Sequence, residues 1–118
     1  MKGEDLAGRL LEFAVRVIRL VRTLRSDAIA RHVARQLLRA ATAGGANYEE
    51  ARSAESRADF AHKVAIAAKE VSESRYWLRL IAHAELAPKS SLDPLTTEAS
   101  ELVAILTASA KTAKRSSS

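Results

Sequence analysis

FAHKVAIAAKEVSESRYWLRLI, residues 60–81, decides the fold of this chain. Within it Phe60, Val64, Ala67, Val71, Ser74, Leu78 and Ile81 recur at steps of four and three without a break. Side chains at that spacing share one face of an α-helix, so the segment predicts a long amphipathic helix packed on other helices. From Arg57 to about Glu85 it would run roughly 40 Å, too long to bury its stripe alone. It needs partners of similar length.

Those partners are legible on either side. A first helix is predicted over 5–24, with Leu6, Leu10, Phe13, Val17, Val21 and Leu24 inward. Asp5, Arg9, Glu12 and Arg16 form its opposite row, charges of alternating sign that read as a solvated face. Asp27 is placed to cap a second helix over 28–52, carrying Ile29, Val33, Leu37 and Ala40 inward and Arg31, Arg35 and Arg39 outward. Gly44 and Gly45 fall inside it, where they would let a neighbouring helix come close. Ser56 with Asp59 resembles a capping box for the third helix, 57–86, which should give way before Pro88.

Lys89-Ser90-Ser91 then reads as loop, and Asp93-Pro94 as the cap and first residue of a fourth helix over 94–114. That helix would turn Leu95, Leu102, Ile105 or Leu106, and Ser109 to the core, leaving 115–118 as a frayed tail. Short turns between long helices favour antiparallel neighbours, so the expected fold is an all-α, up-down-up-down four-helix bundle in one domain, 1–118.

Composition agrees with this. The 118 residues are 47% hydrophobic and 4% aromatic, with two prolines and four glycines, as befits one small helical domain. A chain of this size buries a modest core, in the range where oligomerisation often adds stability. Without cysteine there is neither a disulfide framework nor a thiolate metal site. No apolar run reaches the ~18 residues of a membrane span and Met1 to Gly8 is too polar for a signal peptide, so a cytoplasmic protein with no membrane contact is expected.

Three segments carry a family resemblance. Gln36-Leu37-Leu38-Arg39-Ala40-Ala41, Asn47-Tyr48-Glu49-Glu50, and Ser56-Arg57-Ala58-Asp59-Phe60 resemble the core pattern of the four-helix-bundle family first noted as proteins encoded by intervening sequences within 23S ribosomal RNA genes. In looser form the resemblance runs from about Asp5 to Arg115. Tyr48-Glu49-Glu50-Ala51 departs from the family's Ile-Ala-Glu-Gly, and Ala43-Gly44-Gly45 from its serine-isoleucine stretch, while Asn47 and Glu50 keep their places. The resemblance implies a cytosolic bundle assembled into a ring-like homopentamer, and a distant similarity to the accessory variability protein of diversity-generating retroelements, which joins RNA and a reverse transcriptase. Gln36, Arg39, Asn47, Glu50 and Ser56 are its family-matching residues, and Asn47 with Glu50 would tie the second helix to nearby backbone or to Arg39.

Charge supplies a function candidate. The formal net charge is +5, which favours an anionic partner. Arg19, Arg22, Arg25, Arg31 and Arg35 cluster around the first turn with Asp27 as the only acid among them, and the topology adds Arg75, Arg79 and His83 from the close of the third helix. Guanidinium forks suit phosphate oxygens, so this end is a candidate RNA- or DNA-binding surface; the alternative is a solvated face on a protein-interaction scaffold or accessory adaptor. Tyr76, Trp77 and Leu80 widen the third helix's apolar face and are candidates for a subunit contact or for stacking on bases.

Catalysis finds little support. Asp59 and His62 echo the carboxylate-x-x-His element of di-iron bundles, but a second copy is missing, and His32, His62 and His83 fall on polar or border positions. No nucleophile elbow, phosphate loop or dinucleotide fingerprint occurs. The expectation is a non-enzymatic protein with no metal and no cofactor.

Overall fold

The computed structural model describes residues 1–116 and contains α1 (Gly3–Val21), α2 (Ala28–Arg52), α3 (Arg57–His83) and α4 (Lys89–Ser116). They form an antiparallel up-down-up-down four-helix bundle measuring 48 × 21 × 20 Å. The third helix is the centre of the packing, lying heavily against both α2 and α4, while α1 meets α4 along the lightest seam.

Buried positions repeat every seven residues in each helix, the spacing that keeps a seam facing its neighbours. In α3 the fully buried Val64, Val71 and Leu78 alternate with Ala67, Ser74 and Ile81, so six of the seven ladder residues close the core while Phe60 is half-buried at its mouth. Ser74 is accommodated because its hydroxyl donates to the Glu70 carbonyl at 3.0 Å. The same repeat corrects three sequence expectations. Leu20, with Leu6 and Phe13, takes the inward position expected of Val21. Ala30, with Leu37, Gly44 and Ala51, replaces Ile29, which is 71% exposed. Leu92, Ala99 and Leu106 form the third such row, which selects Leu106 over Ile105 and leaves Ser109, expected inward, half-buried.

The α4 row explains why that helix starts before the expected Asp93-Pro94 signal. Leu92 is completely buried, one heptad before Ala99, and can occupy that layer only if the backbone is already helical there. The helix therefore begins at Lys89, and Pro94 sits inside it. Pro94 cannot donate to the Ser90 carbonyl, but both residues are exposed, so the missing helical bond lies at the protein surface. At the other end α4 continues through Arg115 to Ser116, against the expectation of fraying from 115; Ser117 and Ser118 lie outside the described residues.

Caps set the remaining boundaries. Asp27 accepts from the Ala30 amide at 2.9 Å, and α2 begins and ends where the sequence placed it. Ser56 accepts from the Asp59 amide at 3.1 Å, while the Asp59 carboxylate pairs with Lys63 at 3.4 Å. The first helix starts at Gly3, with Glu4 and Asp5 favourably placed in its first turn, and ends at Val21 because Thr23 and Leu24 turn back on the Leu20 and Val21 carbonyls. Its last turn is thus shorter than the expected 5–24. The third helix stops at His83 in a Schellman motif, short of 86: the Leu86 amide donates to Ile81, the Glu85 amide to Ala82, and Glu85 adopts a left-handed φ of 57°.

Gly44 and Gly45 have different neighbours. A Cβ on Gly44 would stand 2.8 Å from Cγ2 of Val71, so α2 and α3 touch there at a separation only glycine permits. A Cβ on Gly45 would meet Leu10 of α1 at 3.7 Å, ordinary contact. Val71 is β-branched and stiff at χ1, so it cannot swing aside cheaply. Gly44→Ala should lower stability by about 1–3 kcal/mol through overpacking, and Val71→Ala in the same chain should recover part of the loss. Gly45→Ala should raise stability by up to ~1 kcal/mol from helix propensity alone. Thermal unfolding followed by circular dichroism checks both signs.

Candidate nucleic-acid interface

The antiparallel order brings the α1–α2 turn and the close of α3 to one end of the bundle, and with them the arginines singled out from the sequence. They ring this end instead of sharing one plane. Arg25, Arg31 and Arg35 line a single cavity of about 300 Å³ between α1 and α2, floored by Val21, Leu24, Ala30 and Ala34. Arg31 donates to the Ser26 carbonyl, which holds its guanidinium over the turn. Arg19 lines the α1–α4 groove together with Arg16, and Arg22 and Arg79 are exposed. Arg75 is half-buried and donates to the Ser100 hydroxyl at 3.3 Å, so it serves the α3–α4 contact.

Counter-charges at this end are few and distant. Arg25 is 4.0 Å from Asp27 and Arg19 is 3.9 Å from Glu12, both at the outer limit of an ion pair between exposed groups, where the attraction is small. Glu85 of the α3–α4 connection and Lys89 and Asp93 of the first turns of α4 also lie at this end. The end keeps a surplus of positive charge.

Below this end a polar network spans α2 and α3. Arg39 donates to Glu73 at 2.7 Å and to Glu70 at 3.2 Å, and the Trp77 indole donates to the same Glu73 oxygen at 3.0 Å. The indole N–H and then Arg39 hold the Glu73 carboxyl below its ordinary range. His32 and Tyr76 both meet the Trp77 ring edge-on, at centroid distances of 6.1 and 5.1 Å. Trp77 and Leu80 are half-buried against the core of their own bundle, whereas Tyr76 is 55% exposed.

Of the two partners expected for Asn47 and Glu50, Arg39 is taken by this network and nearby backbone by Asn47, which donates to the Ala43 carbonyl of its own helix at 2.8 Å, while Glu50 is exposed. Gln36 is half-buried on α2 between His32 and Arg39. Tyr48, a departure from the family pattern, is buried beside Gly3, where an added Cβ would be 3.2 Å from its hydroxyl. Nor is the Asp5-Arg9-Glu12-Arg16 row simply solvated. Arg9 reaches across to α4 and forks onto Glu98, at 3.0 Å from Nε and 2.5 Å from Nη2.

Residues 6–108 match the family described as 23S rRNA-intervening sequence protein. The chain belongs to that family. The matched span starts on the first core residue, Leu6, and ends just past the last fully buried one, Leu106, so it embraces the bundle and every candidate site residue. Among solved structures the chain is similar to a protein of unknown function from the S23 ribosomal protein family of Bacteroides thetaiotaomicron, with 35% identity, 94% of this chain and 99% of that one covered, and a TM-score of 0.86. No curated protein matches it.

Sequence reasoning on this 23S rRNA-intervening sequence protein missed the acids that fix its arginines and tryptophan. One signal was available: Glu73 and Trp77 stand four apart on α3, close enough to bond within one helix turn. Because the folded pKa of Glu73 lies below its unfolded value, the stability it contributes is present above the unfolded pKa and is lost as pH falls through the folded one. The single tryptophan reports this directly. Its fluorescence should change in an acid transition below the usual glutamate range of about 4.3, and Glu73→Gln should abolish that transition.

Proposed function

We propose that the protein is a non-enzymatic, homo-oligomeric nucleic-acid-binding protein whose arginine-rich end takes the phosphate backbone of RNA or DNA without reading its sequence. The observation that carries this reading is the cavity shared by Arg25, Arg31 and Arg35, which has one acid, Asp27, at its edge. Arginines on phosphates set position and not sequence, so preference among bases should be weak and dependence on salt strong. Affinity for RNA or DNA should fall by more than about tenfold between 50 and 200 mM salt. Changing Arg31 and Arg35 together to Glu should abolish retention in a gel-shift assay and leave helical content intact. Retention that survives the double change, or none by the native protein at low salt, would favour the second reading, an adaptor that docks another protein.

An apolar groove suited to self-association supports the same reading. On the outer side of α1 and α2 a cavity of about 390 Å³ is lined mainly by Ala7, Gly8, Ala14, Gly45 and Ala46, beside Leu11, which is 67% exposed. A second copy seated there would cover Leu11, and a closed ring of copies would gather several arginine ends into one multivalent surface. Light scattering should give a multiple of the 12.8 kDa chain mass. Leu11→Glu, at a position the bundle does not bury, should return the monomer and weaken nucleic-acid binding.

A further inference from the structure

We propose that His32 of α2 with Tyr76 and Trp77 of α3 forms a stacking platform for unpaired bases, flanked by Arg35 and Arg79 for the adjoining phosphates. The inference rests on the nucleic-acid reading of the basic end and narrows its ligand to a single strand. Bases in a duplex have their faces occupied by one another, whereas those of a single strand are free to stack on aromatic rings.

Ring geometry carries the argument. Trp77 is fixed through its indole nitrogen to Glu73, which Arg39 holds from the opposite helix. Tyr76 and His32 stand at 78° and 82° to the indole plane, so neither is stacked face to face on Trp77. Both are exposed, which leaves those faces open to a flat ligand beside an anchored indole. The platform is therefore preorganised, and a base stacking on it need not order the side chains first.

The flanking charges follow from helix register. Arg35 lies one turn after His32 on α2, and Arg79 one turn after Tyr76 on α3. Because these helices run antiparallel, the two arginines lie on opposite sides of the rings along the bundle axis, as a strand crossing the platform requires. Both are exposed, and neither forms an ion pair among the described residues. With Glu70 and Glu73 already paired by Arg39, the two unpaired arginines favour a polyanion over a protein partner.

The test compares two fluorescently labelled strands of about fifteen residues, within the span such proteins cover. One is oligothymidylate, and the other is its abasic deoxyribose-phosphate counterpart. Oligothymidylate should quench Trp77 and bind roughly tenfold more tightly than the abasic strand. Tyr76→Ala should bring its affinity down to the abasic level without changing abasic binding, and Tyr76→Phe should restore it. Equal affinity of the native protein for the two strands would overturn the platform and leave the phosphate reading standing. Binding to neither strand at low salt would overturn both and make the aromatic face a protein-docking surface. The native comparison decides the matter even if Tyr76→Ala fails to fold.

Discussion

The close approach of α2 to α3 at Gly44 is the constraint on which the rest of the structure depends. With Val71 pressed against the glycine backbone, the two helices cannot slide or rotate without a clash or a void. That fixed distance sets the reach of Arg39 to Glu70 and Glu73, and through Glu73 the position of Trp77. It also fixes which α2 residues turn outward, among them Arg31 and Arg35. A packing contact with no polar atom thus orders the charged and aromatic surface above it.

Two surfaces of different character result. The end ringed by arginines presents charge with little geometric constraint, as suits an anion of variable shape. The His32, Tyr76 and Trp77 face presents oriented rings held by a polar network. The apolar groove beside Leu11 lies on another side of α2, so occupation of that groove leaves the ring face open. Separating these surfaces around one helix allows one small bundle to carry both.

The architecture was legible in the sequence because helical periodicity is written many times over: the α3 ladder, the bounds of α2 and its Asp27 cap, the Ser56 cap and the antiparallel order stand in the structure as read. The errors lay where two phases fit locally. Ile29 is more apolar than Ala30, yet only Ala30 keeps the repeat with Leu37 and Gly44. Asp93-Pro94 is a sound local start signal, overridden by burial of Leu92, which starts the helix about one turn earlier at Lys89. The arginines of the basic end were recoverable from composition and topology. The partners of Arg39 and Arg9, which lie outside that end, were not, because Arg39 with Glu70 and Arg9 with Glu98 join residues far apart in the chain, and no local rule pairs them.

The light seam between α1 and α4 bears on how the bundle assembles in time. Neighbouring helices form from contacts close in sequence, which are quick to find, but this seam joins the first helix to the last, and its Arg9–Glu98 fork spans 89 residues. The loop entropy of closing it is compensated only once α2, α3 and α4 are already in place. A folding path in which the α1–α4 seam closes after the neighbouring pairs follows from this, with Arg9 acting as the latch. On the ribosome the first helix made could pair early with the second, yet its seam with the fourth would be the last to shut.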